Sequence, residues 1–171
     1  MSMTIGSSKK PMKRSPFKRK SVADLKALKT KSLKKRTSKK RTSLAKTKKK
    51  ADAFFSIYIR MRDADKNGVA ECITCGVKRP WKQMQNGHFV SRRVSLLRYD
   101  EENCNAQDYS CNVMKHGDLY TYAKNLDLKY GDGTADKLHA QRFTTHKFTI
   151  EELESIIMDA KTQIIYYENN P

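Results

Sequence analysis

The chain has 171 residues and a net charge of +18, with 7 Gly and 4 Pro. That length suits one ordinary domain, and the low Gly and Pro content excludes collagen-like and low-complexity architectures. No stretch approaches the ~18 to 20 uncharged apolar residues of a bilayer-spanning helix, and no apolar run follows the first basic residues, as a secretory leader would require.

The charge is unevenly placed. From Lys9 to Lys50 there are 20 Lys and Arg and one acidic residue, Asp24; from Ala51 to Pro171, 16 basic and 17 acidic residues nearly cancel. The sequence thus divides into a basic arm over residues 1–50, expected to be largely disordered, and a folded domain over residues 51–171. In the arm Lys34, Lys35, Arg36, Lys39, Lys40 and Arg41 alternate with Ser and Thr. Such a segment neutralises phosphates and releases counterions with little regard to base sequence, so duplex or branched DNA is the expected partner.

The domain opens with a helix over residues 51–62, striped by Phe54, Phe55, Tyr58 and Ile59 and ended by Asp65-Lys66-Asn67-Gly68. Cys72-Ile73-Thr74-Cys75-Gly76 forms a tight turn. Trp81 to Val90 suits short extended segments around Asn86-Gly87, and Ser91 to Glu102 is a basic loop carrying Arg92, Arg93 and Arg98. Val113, Met114, Leu119, Tyr122 and Leu126 fall at helical intervals after Cys111. A short helix is expected from Thr134 to Phe143. Thr149 and Glu152 then make a capping box for a last helix that buries Leu153, Ile156, Ile157, Ala160 and Ile164.

Cys72-x2-Cys75 has the spacing of a zinc knuckle, in which a tight turn aims backbone N–H groups at two thiolates. Tetrahedral zinc needs a second pair. Cys111 is the third ligand by position, and Asp108, three residues before it, keeps knuckle spacing with an oxygen donor. Cys104 is the alternative fourth ligand, with the better donor atom and the worse spacing; His116 would reach the ion only if its helix end bent inward.

Between the two halves stand Gly87-His88-Phe89, Asn103, and Cys111-Asn112 with Lys115. A strand His, a loop Asn and an Asn opening a helix, framed by cysteine knuckles, resemble the HNH or ββα-metal nuclease superfamily. More closely, Cys72-x2-Cys75, Gly87-His88, Leu97-Arg98-Tyr99-x3-Asn103, Gln107-x3-Cys111-Asn112-x2-Lys115-x-Gly117-Asp118 and Phe148-Thr149-x-Glu151-Glu152 resemble the NinG/Rap family of phage recombination endonucleases. That resemblance implies an α+β fold: a small treble-clef or ββα-metal zinc finger flanked by helices. It implies a metal-dependent, structure-specific endodeoxyribonuclease acting on branched recombination intermediates, such as Holliday junctions and D-loops, in the cytoplasm of a phage-infected bacterium.

The same resemblance assigns roles. His88 would be the general base, Asn103 would hold the loop that orients it, and Asn112, with His116, would bind a catalytic Mg²⁺ or Mn²⁺. From spacing, Cys72, Cys75, Asp108 and Cys111 would bind a structural Zn²⁺, although family members commonly have a second Cys-x2-Cys where this chain has Asp108-x2-Cys111; from charge, Arg92, Arg93, Arg98 and Lys115 would contact phosphates. Many members of the HNH superfamily carry a carboxylate or a second His immediately before the general base, where this chain has Gly87. Cutting two strands of a junction suits a homodimer, for which Ile164-Ile165-Tyr166-Tyr167 offers apolar surface. Two alternatives share these features: a non-catalytic zinc-containing DNA-binding recombination accessory protein, and a sequence-specific HNH nicking endonuclease.

Overall fold

The structure, a computed structural model, describes residues 43–170. Helix α1 occupies residues 43–62, so Ser43 to Lys50, assigned to the arm on charge, are helical. The reason is packing: Leu44 lies against Ala51, Leu153 and Ile157, and the stripe continues through Phe55, Tyr58 and Ile59. The arm cations from Lys34 to Arg41 lie outside the described residues.

After α1, Asp65 accepts hydrogen bonds from the N–H groups of Asn67 and Val69, and Gly68 turns the chain at φ +72°. Strand β1 (Val69–Glu71) pairs antiparallel with β2 (Lys78–Pro80), and the cysteine knuckle forms their connection. Strand β3 (Gln85–His88) pairs antiparallel with β4 (Cys104–Gln107), with His88 opposite Cys104 and Gly87 opposite Asn105. The fold is therefore α+β, with two small two-stranded sheets among helices. Asn86-Gly87 is not a turn but the middle of β3. Glycine serves there because Gln107 crosses its face: an added Cβ would lie 2.3 Å from Gln107 Oε1 and 2.8 Å from Gln107 Cβ.

The segment after Asp108 also departs from expectation. It forms one wide π-helical turn, Ser110–Met114, then breaks at His116, Gly117 and Asp118, all with positive φ, before α2 (Leu119–Tyr130). Val113, Met114 and Leu119 are consequently exposed, and only Tyr122 and Leu126 of that predicted stripe are buried. Helix α3 (Thr134–Ala140) is short, as the pattern suggests. Helix α4 (Ile150–Asn169) starts at the expected capping box, with Thr149 Oγ1 accepting the Glu152 N–H and Glu152 accepting the Thr149 N–H.

Three cores position the site. Helices α1 and α4 enclose Phe55, Tyr58, Ile59 and Ala160 together with Cys104. The knuckle region buries Ala70, Cys72, Met84, Ala106 and Cys111. Val90 and Leu97 of the long β3–β4 loop pack on Tyr122, Leu126 and Leu138. Among the described residues no helix is long and apolar enough to cross a membrane.

Candidate functional site

Cys72 leaves β1, Cys75 follows three residues on, and Cys111 arrives from the π-turn. Their Sγ atoms lie within 4.8 Å of one another. Thiolates sharing one tetrahedral zinc sit about 3.8 Å apart, so the three sulfurs fit a common ion with little movement. The turn is closed by the Gly76 N–H donating to the Cys72 carbonyl, with Gly76 at φ +73°. Burial works against ionising Cys72, but the N–H groups of Asp108, Cys75 and Thr74 outweigh it and lower its pKa. The Asp108 N–H lies 3.2 Å from Cys72 Sγ. Cys111 is pushed up to about 12, first by burial and then by its sulfur neighbours, so it ionises only when a cation compensates.

Neither residue proposed for the fourth position joins this cluster. The Asp108 carboxylate accepts from Arg79 Nε at 2.7 Å through one oxygen, and from the N–H and hydroxyl of Ser110 through the other. It caps the π-turn and anchors Arg79, and those hydrogen bonds hold its pKa below the usual carboxylate range. Cys104 is fully buried in the α1–α4 core, and its thiol points to the Arg98 carbonyl at 3.7 Å. Spacing nominated Asp108 and donor type nominated Cys104; packing commits both elsewhere.

His88 ends β3 on the wall of an open cleft of about 520 Å³. Asn86, Arg92, Asn112 and His116 line the same cleft. His88 Nε2 lies 3.2 Å from the Arg98 carbonyl. A carbonyl can only accept, so Nε2 carries the proton and Nδ1 keeps the lone pair. Burial first, and the nearby Arg98 and Arg92 charges in addition, lower the His88 pKa despite the opposing pull of the Arg98 and Asn86 main chain, and this lowering favours the neutral imidazole.

Asn112 donates through Nδ2 to Gln85 Oε1 at 2.6 Å, which leaves Oδ1 as its uncommitted oxygen. His116 reaches the cleft from the left-handed turn at φ +51°, beyond the end of the π-turn that carries Asn112. Asn103 is fully buried and holds the β3–β4 loop at three points. Its Oδ1 accepts the Val90 N–H at 2.7 Å, and its Nδ2 donates to the carbonyls of Val90 and Leu97 at 3.0 and 2.8 Å.

The expected phosphate contacts divide. Arg92, Arg93 and Lys115 are exposed, and among the described residues none of them forms an ion pair. Arg98 does not belong with them: it forms a two-pronged pair with Asp52 of α1 at 2.6 and 2.7 Å, and its side chain is only 14% exposed. Residues the sequence reading passed over include Asn86, whose Oδ1 is buried without a hydrogen-bond partner, and Gln85, which fixes Asn112. Nothing in the local spacing signals either residue.

Fold and site together define a class: an α+β protein in which three cysteines able to hold one metal ion accompany a cleft lined by a histidine and an asparagine. Within that class the chain belongs to the NinG family, whose model, described as Bacteriophage Lambda NinG protein, matches residues 4–169. It is 31% identical over 109 residues to Protein ninG of Escherichia phage lambda, of Escherichia phage 933W and of Salmonella phage P22. The match covers 63% of this chain, so the chain spans about half the length of these curated relatives (50% for phage lambda, 51% for the other two). No solved structure matches.

Proposed function

We propose that this protein is a metal-dependent endonuclease of the ββα-metal type, hydrolysing DNA phosphodiesters at branched recombination intermediates. The observation that carries the proposal is that His88 and Asn112, from a strand and from the turn that follows its partner strand, line one solvent-open cleft. The β3–β4 pair followed by the π-turn supplies the two strands and the helical segment of that motif, and the Cys72–Cys75–Cys111 set suits a structural zinc beside it.

His88 acts as general base. Its neutral imidazole, fixed with Nε2–H on the Arg98 carbonyl, accepts a proton from the attacking water at Nδ1. Asn103 keeps the Val90–Leu97 loop in place so that this carbonyl stays opposite His88. Asn112 Oδ1 is the amide oxygen suited to a hard divalent cation, with His116 on the same wall. Bound Mg²⁺ or Mn²⁺ would supply charge neutralisation at the phosphate and at the leaving 3′ oxygen. Arg92, Arg93 and Lys115 bind flanking phosphates, and the arm adds affinity independent of base sequence.

The purified 171-residue chain, incubated with Mg²⁺ or Mn²⁺, should nick a labelled four-way junction in preference to linear duplex. Binding with no cleavage would favour an accessory protein, and cleavage of linear duplex at one fixed site would favour a sequence-specific nicking enzyme.

A further inference from the structure

We infer that Asp52, on α1, is a positioning residue for His88. The peptide joining Arg98 to Tyr99 carries the carbonyl that receives the His88 Nε2–H. Both residues flanking that peptide are tied to the same carboxylate. Arg98 donates from Nε and Nη2 to the two oxygens of Asp52, at 2.7 and 2.6 Å, and the Tyr99 hydroxyl donates to Asp52 Oδ1 at 2.9 Å.

A peptide group is planar, so restraining the side chains on both sides of it restrains the direction of its carbonyl. Tyr99 is further held edge-on between the rings of Phe55 and Phe148, at 5.5 and 5.2 Å. Arg98 Nη1 donates to the Arg92 carbonyl at 2.8 Å, which draws the cleft rim into the same clamp. A carboxylate on the first helix thus sets the acceptor that decides which nitrogen of His88 keeps its lone pair. The guanidinium fork suits this task, because two parallel bonds fix orientation where a lysine would supply only charge.

The consequence for catalysis rests on the reading of His88 as general base; the clamp itself does not. Two-bond ¹⁵N–¹H spectra of His88 and single-turnover nicking of a junction test both together, in the full chain. Wild type should show the Nε2–H tautomer alone. Asp52→Ala should show both tautomers and nick about tenfold to a hundredfold more slowly, with junction affinity within about twofold, as expected when a reacting group loses its orientation. Asp52→Glu should restore the single tautomer at least in part.

Should Asp52→Ala fail to fold, Arg98→Lys decides, since it keeps the main-chain carbonyl and the charge but loses the fork. A variant retaining the single Nε2–H tautomer overturns the inference, whether or not nicking slows. If the tautomers mix as expected while wild type itself never nicks, the clamp stands and the nuclease reading falls.

Discussion

Replacing Gly87 by alanine tests how closely β3 is covered at the residue before His88. The backbone there is ordinary extended strand, so the cost comes from space and not from conformation. The added methyl would meet Gln107 at three atoms, 2.3 Å from Oε1, 2.8 Å from Cβ and 3.0 Å from Cδ. The end of a glutamine can swing away, but its Cβ cannot move without its strand. Gln107 is also fully buried and held by bonds from Nε2 to Thr74 Oγ1 at 2.6 Å and to the Gly117 carbonyl at 2.9 Å. Losing both costs about 2 kcal/mol, and overpacking adds about 1–3, so a destabilisation of about 3–5 kcal/mol is expected. With a urea slope of about 2 kcal/mol/M the unfolding midpoint should fall by about 1.5–2.5 M. Gly131 is the contrast: its Cβ would meet nothing within 4 Å, and alanine there should cost backbone strain alone, from φ +109° with ψ 153°, about 1–3 kcal/mol. A midpoint for Gly87→Ala within about 0.3 M of wild type would refute the argument. The same crossing leaves no room for a larger side chain immediately before His88, because Gln107 occupies the space.

The purified protein should hold one zinc by elemental analysis. Cys111→Ser should lose it, while Asp108→Ala and Cys104→Ala keep it, because neither side chain reaches the sulfur cluster. Asn103→Ala removes three buried hydrogen bonds and should cost about 3 kcal/mol, with faster hydrogen exchange at the Val90 amide, which Asn103 holds. His88 faces Arg98, Arg92 and Cys104, with His116 across the cleft, and its pKa is lowered, so its NMR titration midpoint should lie below 6.5. Because the unfolded chain then binds the proton more readily, the His88 contribution to stability is complete above pH 6.5 and declines as the pH falls from there; nicking should fall on the same acidic side as the base is lost.

Features written in short spacings were legible in the sequence. Thr149-x2-Glu152 starts α4 and Cys72-x2-Cys75-Gly76 makes its turn, because each depends on neighbours a few residues away, while Cys111, 36 residues on, was matched to that turn by its ligand chemistry. The breaker cluster at Asp65 to Gly68 is of the same kind. What escaped notice depends on contacts between distant segments. Gly87 resembles half of an Asn-Gly turn until Gln107 is laid across it. Arg98 resembles a free cation in a basic loop until Asp52, 46 residues earlier, is placed beside it. Cys104 has the chemistry of a zinc ligand but lies on the strand face that packs against α1. The break at His116 to Asp118 was hidden because apolar residues on both sides kept helical spacing while the backbone did not.

The account stands or falls on whether the imidazole in the cleft takes part in cutting DNA. The direct measurement compares wild type with His88→Ala and Asn112→Ala in single-turnover cleavage of an end-labelled junction, with binding followed on the same samples. The account predicts that all three bind alike, that wild type releases nicked strands, and that both variants lose at least about a hundredfold in rate. Cleavage by His88→Ala at the wild-type rate, or wild-type protein that binds the junction in Mg²⁺ and Mn²⁺ and leaves every strand intact, would contradict it.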